Sequence, residues 1–342
     1  MISVGIIGGS GYTGKKLIQF CSQHPQVESI EIYGFTKAGE TVYELFPELM
    51  NIVDNQLINS IENLSFDHDL YFIALPHGES LNYVPQLIEK GKKVIDLGGD
   101  YRLDTPELYL EWYNKEHTSV QLLSEKIYGL ADIYETEKYQ SLVANPGCYP
   151  TSVLVSILPF VKNYSENILT ISTVSYSGSS GAGKSPKQEL LLSEMDGNVR
   201  AYSVNAHRHQ PEILQELRKH NYPGQFSFTT HLLPVAVGIY STTVLHLFNE
   251  MDENEITGLY NVIYKNSPFV RMRDVPPQLK WVTGTNFCDI NISVKGNTVV
   301  ITSAIDNLIK GASGQAVQNM NKLFGWEETT GILKGVGDVY VH

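Results

Sequence analysis

The stretch SVGIIGGSGYTG, Ser3–Gly14, decides the fold of the N-terminal half. Ser3–Ile7 is a short apolar run, the pattern of a strand buried on both faces of a parallel sheet. Gly8, Gly11 and Gly14 follow at three-residue spacing, with Ser10, Tyr12 and Thr13 among them, and Lys15–Ser22 then reads as a helix. Strand, glycine turn and helix in that order make a dinucleotide-binding unit. Glycines let the backbone approach a pyrophosphate, and the helix N-terminus offers it N–H groups and the positive end of a dipole.

Outward from this turn, the second strand, near Ser29–Phe35, ends in Gly34-Phe35-Thr36-Lys37. A site for NAD usually carries Asp or Glu here for the ribose 2′-hydroxyl. The hydroxyl of Thr36 and the cation of Lys37 suit a 2′-phosphate instead, which favours NADP(H). DLYFIALPHGES (Asp69–Ser80) and KKVIDLGGDYRL (Lys92–Leu103) repeat the form of apolar strand and glycine-bearing turn, with a helix-like segment, Leu81–Lys90, between them. The alternation predicts an α/β fold with a doubly wound parallel sheet and its ligand at the carboxyl ends of the strands. Leu75, Pro76 and His77 then lie beside the coenzyme, and Arg102, just past the fourth strand, within reach of a substrate phosphate.

The 342 residues suffice for two domains, and 42% hydrophobic with 18% charged residues is ordinary for a soluble globular protein. A formal net charge of -12 argues against nucleic acid or an anionic membrane as partner, while leaving room for a local anion site. Cys21, Cys148 and Cys288 share no close spacing, so neither a metal knuckle nor a disulfide framework is expected. Scattered thiols fit a reducing compartment, and no apolar stretch approaches the roughly 18 residues of a membrane span, so a cytoplasmic location is expected.

LVANPGCYPTSVLVSILPFV, Leu142–Val161, carries the chemistry. Leu142–Ala144 is strand-like, Asn145-Pro146-Gly147 is a turn, and Thr151–Val161 is an apolar helix with Pro150 suited to its first turn. Cys148 therefore stands at a helix N-terminus, where the dipole stabilises the thiolate, the attacking species in thioester chemistry. Cys21, in a helical pattern, and Cys288, in a strand-like run, read as buried hydrophobes. NAHRHQPEILQEL (Asn205–Leu217) places His207, Arg208 and His209 at the start of a helix that Pro211 and Glu212 open. An imidazole there can shuttle a proton near neutral pH, with Glu212 one turn on to orient it. The His-x-His pair lacks a third ligand at useful spacing, so no metal is expected.

VSYSGSSGAGKSP, Val174–Pro186, spells the G-x-x-x-x-G-K-S of a P-loop and follows a strand-like run, Leu169–Tyr176. Two features count against a nucleotide hydrolase: the first strand already ends in a better-placed dinucleotide turn, and Pro186 fits only a helix's first turn. The expectation is that the loop's backbone amides and Lys184 face a substrate phosphate.

These residues together resemble the N-acetyl-gamma-glutamyl-phosphate reductase family over essentially the full length, on GIIGGSGYTG, ALPHGES, ANPGCYPTS, SGSSGAGK, HRHQPEI and DNLIKGASGQAVQNMNKLFGWEETTGI (Asp306–Ile332). The resemblance implies a Rossmann domain with an α+β substrate domain of mixed sheet, as in glyceraldehyde-phosphate dehydrogenases. It implies NADPH-dependent reduction of an acyl phosphate through a thioester on Cys148, with His209 or, second, His207 as acid/base. Residues 1–148 would bind the coenzyme, joined by 309–342, and 149–308 would form the catalytic and oligomerisation domain of a homodimer or homotetramer. Ser177, Gly178 and Asn307 are further coenzyme candidates; Asn145, Gly181 and Arg208 are further substrate candidates. Members usually carry Met-Thr-Arg-Gly where this chain has Val235-Ala236-Val237, and Gly-Leu-Pro-Glu where it has Gly129-Leu130-Ala131-Asp132. The missing cation at Val237 leaves an N-succinyl or carrier-linked acyl group, or an aspartyl phosphate, as the alternative substrate.

Overall fold

The structure, a computed structural model, describes residues 1–134 and 141–332. The described residues divide into two compact units, Met1–Pro146 with 312–332, and Gly147–Gly311.

The first unit is built on strands β1 (Ile2–Ile7), β2 (Val27–Gly34), β3 (Ile58–Ser60), β4 (Leu70–Ile73), β5 (Lys93–Asp96), β6 (Ile127–Tyr128) and β7 (Leu142–Ala144). They pair in the order β3-β2-β1-β4-β5-β7-β6, every pair parallel. The chain steps outward from β1 to β3 and returns to β4 on the other side of β1, so the strand order reverses between β1 and β4. In doubly wound sheets the crevice at such a reversal takes the ligand. Val4, Ile6, Ile7 and all of β4 are sealed from solvent, as strands covered on both faces must be. The helix Tyr12–Ser22 buries Leu17, Ile18 and Cys21 on this sheet, and the helix Gly314–Leu323 packs against that helix and β5.

The second unit is a mixed sheet of β8 (Ile168–Ser177), β9 (Arg200–Tyr202), β10 (Gln225–Leu232), β11 (Ile239–Leu247), β12 (Val270–Met272), β13 (Cys288–Lys295) and β14 (Thr298–Ile305). Their order is β12-β13-β14-β11-β8-β10-β9, with β8/β10 and β12/β13 parallel and the other pairs antiparallel. The helix Cys148–Tyr164 covers one face. Beneath it the sheet presents small hydroxyls among buried aliphatics such as Ile171, Leu245 and Ile301. Ser152 of the helix meets Ser241 and Ser303, both at 2.9 Å, Ser175 meets Ser241 at 2.7 Å, and Thr173 meets Thr243 at 2.9 Å. These side chains are buried but satisfy one another, and their small size brings the helix close to the sheet. Pro159 inside the helix removes the N–H that Val155 O expects; the Tyr264 hydroxyl donates to that carbonyl instead, and Tyr260 donates to Ser156 O at 2.6 Å. Among the described residues no helix is long and apolar enough to cross a membrane.

Candidate active site

The turn after β1 has the shape that a dinucleotide requires. Gly8 has φ +92°, and a Cβ there would sit 2.3 Å from Ala74 O; a Cβ on Gly14 would sit 2.5 Å from Gly8 O. Both positions exclude any side chain. Gly11 caps the helix Tyr12–Ser22 without a side-chain bond, and the first turn carries no acid. The first helical N–H groups, at Tyr12, Thr13 and Gly14, have no partner within the helix itself. With half-buried Ser10 beside them, these residues fit a pyrophosphate. Past the end of β2, Thr36 and Lys37 are exposed, and Lys37 Nζ pairs with Glu40 at 2.7 Å. Such a surface pair is worth about 1 kcal/mol or less, so a phosphate dianion competes with it on good terms. Leu75, Pro76 and His77 follow β4 directly, and the turn they begin abuts Gly8 through Ala74.

Two residues expected to meet the substrate, Arg102 and Asn145, are held in place by the first unit's own backbone. Arg102 is 5% exposed, with Nε donating to Asn145 O at 2.9 Å and Nη2 to Leu97 O at 2.7 Å. Asn145 is fully buried. Its N–H donates to Asp96 O at 2.8 Å, its Oδ1 accepts from Asn319 at 3.0 Å, and its Nδ2 donates to Ala312 O at 3.3 Å. Within the first unit these bonds fasten the backbone that leads to Pro146.

In the second unit, Cys148 is the first residue of the helix Cys148–Tyr164, capped by Gly147 and with no acid in its first turn. From Leu142 to Val161 every residue is buried except Cys148, which is half-buried. Cys21 and Cys288 are sealed, and burial pushes the Cys21 thiol up to about 12. Two neighbours set the position of Cys148. Glu212, fully buried, accepts the Gly147 N–H at 2.8 Å. A Cβ on Gly311 would lie 2.7 Å from Cys148 Cβ, so only glycine lets that turn pass the cysteine. Besides the expected role of Glu212 in orienting a histidine, its carboxylate has this one: Oε1 fastens the peptide preceding the thiol. Glu212→Ala leaves a buried N–H without its acceptor and is expected to cost about 1–3 kcal/mol in chemical denaturation, while Glu212→Gln, which keeps an acceptor oxygen, loses less.

His209 opens the helix His209–Lys219 and is 9% exposed. Its N–H donates to His207 Nδ1 at 3.2 Å, and the two rings stand 4.9 Å apart. Tyr149, next in the chain after Cys148, packs edge-on against both, at 5.3 Å from His207 and 5.9 Å from His209. Burial, then the charge of Arg208, lowers His207 to about 4. His207 is therefore neutral at pH 7, and its accepting Nδ1 places the ring proton on Nε2. Arg208 itself is exposed. Sequence reading missed Tyr149 and Tyr202, whose hydroxyls meet at 2.8 Å, and whose phenols burial above all pushes up, Tyr202 to about 12. Nothing local marks them, because Tyr202 reaches the cluster from the edge strand β9.

The loop after β8 is not an open nest of amides. The N–H groups of Gly178, Ser179 and Ser180 donate to Gly238, Val235 and Ala236 carbonyls at 2.9, 2.9 and 3.0 Å. Those of Gly181 and Gly183 donate to Gly178 and Ser180 carbonyls. Ser177 Oγ, buried, donates to Gly178 O. A 3₁₀ turn, Ser179–Ala182, takes up the loop, and residues 183–187, where a P-loop has the start of its helix, are not helical. The expectation that these backbone amides face a phosphate is corrected to this extent: the N–H groups of 178–181 and 183 are taken by carbonyls of the same unit. Gly181 and Lys184 are exposed. Asn307 ties the loops together, accepting from Gly238 N at 2.6 Å and donating to Ser180 Oγ at 3.0 Å. Among the described residues no group of three His, Cys, Asp or Glu is placed to hold a metal ion.

Two family models match the chain: semialdehyde dehydrogenase, NAD binding domain, over residues 3–141, and semialdehyde dehydrogenase, dimerisation domain, over residues 148–307. An N-acetyl-gamma-glutamyl-phosphate reductase of Desulforamulus reducens is 42% identical over 97% of this chain and 98% of its own length. One of Pelotomaculum thermopropionicum is 44% identical over 97% of each. Among solved structures, aspartate semialdehyde dehydrogenase II from Vibrio cholerae superimposes with a TM-score of 0.74 at 16% identity, over 95% of this chain and 98% of that one, a likeness of fold.

Proposed function

The chain belongs to the N-acetyl-gamma-glutamyl-phosphate reductase family, and from that premise we propose that it reduces N-acetyl-gamma-glutamyl phosphate to the 5-semialdehyde, with release of phosphate, as a step of arginine biosynthesis in the cytoplasm. The observation that carries the reading is the half-buried thiol of Cys148 at a helix N-terminus, in a stretch otherwise closed to solvent. The positive helix end favours the thiolate. That sulfur attacks the acyl carbon, the C–O bond to phosphate breaks, and a thioester remains on Cys148. Arg208, exposed beside the two histidines, offers its charge to the substrate's anionic groups. A reduced nicotinamide coenzyme, when bound, supplies the hydride that turns the thioester into a thiohemiacetal. His209 protonates the developing oxyanion and takes the proton back as the C–S bond breaks, releasing the aldehyde and restoring the thiolate. His207 serves it as a neutral anchor: a ring held near 4 is not an imidazolium at neutral pH and so is no general acid there.

NADP(H) is the coenzyme this reading favours, because Thr36 and Lys37 stand where an acid would select NAD. Lys37→Ala is expected to raise the KM for NADPH about tenfold and leave that for NADH unchanged, which initial-rate kinetics will show. The sheet face opposite the cysteine helix presents half-buried Val174, Tyr176, Tyr240, Thr242, Val244 and Val300, and we assign it to a second copy of the chain. The test of function is the reaction run in reverse: phosphate-dependent reduction of NADP by N-acetylglutamate 5-semialdehyde. Activity with aspartate semialdehyde in its place, or with neither aldehyde, contradicts the assignment.

A further inference from the structure

We propose that the buried carboxyl pair Asp96 and Asp100 is the positioning device of the coenzyme-lining turn, holding residues 77–80 in place. The proposal rests on the reading that the glycine turn after β1 binds a dinucleotide. Both residues are fully buried in the first unit, Asp96 at the end of β5 and Asp100 in the turn that follows. Asp100 collects four donors. Gly78 N reaches its two oxygens at 2.7 and 2.8 Å, Ser80 N lies at 3.2 Å, Ser80 Oγ at 2.6 Å and Tyr109 OH at 2.8 Å. Three of the four come from residues 78–80, which continue the turn that abuts Gly8 through Ala74. The same turn is fastened again by Gly99 N donating to His77 Nδ1 at 3.0 Å.

The geometry at Ser80 locates the proton. A hydroxyl has one hydrogen, and here it goes to Asp100 at 2.6 Å. Asp96 Oδ2 stands 3.3 Å from the same oxygen. That contact is attractive when Asp96 is the neutral acid and donates to a lone pair of Ser80, while its Oδ1 accepts from Gly98 N at 2.9 Å. Burial above all, then the charge of Asp100, raises Asp96 to about 7, which agrees with this arrangement. The charge of Arg102 opposes that rise. Tyr101 and Tyr109 are pushed up and stay neutral. His117, bonded to Asp100 O at 3.0 Å, is lowered by burial, and Lys115 Nζ donates to His77 O at 3.2 Å.

The sign follows from proton counts. Asp96 keeps its proton to a higher pH in the folded chain than in the unfolded one, so its contribution to stability is whole below the ordinary carboxylate range and is lost as pH rises towards about 7. His117 acts oppositely, losing its contribution as pH falls. Asp96→Asn isolates the first effect, because an amide mimics the neutral acid at both contacts. Once both acids are ionised, two like charges adjoin a turn that is to face an anionic coenzyme, and the grip on that coenzyme weakens.

Three measurements test this. In fluorescence titrations with NADPH, wild type is expected to bind several-fold more weakly at about pH 8 than at about pH 6, and Asp96→Asn to lose that dependence. Asp100→Asn is expected to weaken NADPH binding about tenfold at both pH values. In thermal melts without coenzyme, the difference between wild type and Asp96→Asn is expected to shift against wild type across the same range. Unchanged NADPH affinity in Asp100→Asn, or a pH dependence that survives in Asp96→Asn, overturns the proposal. Should Asp100→Asn not fold, Tyr109→Phe, which removes one donor to the same carboxylate, takes its place with a smaller loss expected. Failure of wild type to bind NADPH at any pH instead overturns the coenzyme reading, and the melts still report whether Asp96 keeps its proton in the folded chain.

Discussion

Cys148→Ser is expected to lower reductase turnover by roughly four orders of magnitude or more, while NADPH binding and the melting temperature stay near those of wild type. Serine is nearly isosteric, so the helix N-terminus and the Gly311 contact survive the change. What is lost is an ionisable sulfur. A thiol is readily deprotonated at a helix N-terminus, whereas an alcohol there is not, and an oxygen ester accepts hydride less readily than a thioester. Steady-state kinetics with an NADPH titration separate the two effects. Weakened NADPH binding in Cys148→Ser would mean that the variant had disturbed more than the reacting atom.

His209→Asn is expected to cost about two to four orders of magnitude in kcat, with KM for the acyl phosphate changed far less. The ring is buried at the start of its helix, between His207 and Tyr149, and asparagine keeps a polar side chain there without a titratable group. His207→Asn is expected to cost much less. At neutral pH His207 is already uncharged, and its Nδ1 holds the His209 N–H, a contact that an amide oxygen can replace. Steady-state kcat of the two variants, measured at neutral pH, distinguishes the pair. Equal losses in the two variants would contradict the division of roles.

The parallel sheet was legible because its signals are local. A strand buried on both faces must be apolar along its length, and a turn that touches a neighbouring carbonyl must be glycine, so Ser3–Gly14 states both facts in order. Cys148 was legible for the same reason: turn, cysteine and proline-bearing helix are contiguous. Partners of buried polar groups were not. Glu212 sits one turn after His209, which suggested that it orients that ring, and its bond to Gly147, 65 residues earlier, has no local sign. Arg102 and Asn145 carry the residue types of an anion site, and only the tertiary fold shows them bonded to each other. The GKS loop has the composition of a phosphate cradle, but its amides face the carbonyls of Val235–Gly238, whose position no local pattern reveals. Short edge strands such as β9 and β12, three residues each, carry too little periodicity to be read. The alternating serines and threonines of β8 and β11 were visible, but their meaning depends on the helix that covers them.

The most direct test of the account is to trap the acyl group. Wild-type protein mixed with N-acetyl-gamma-glutamyl phosphate in the absence of coenzyme, quenched in acid and digested, is expected to show one N-acetylglutamyl group on the peptide containing Cys148, labile to hydroxylamine. No such adduct is expected in Cys148→Ser. An adduct on another residue, or coenzyme oxidation at the normal rate with no acylated Cys148 at any time, would contradict the covalent route.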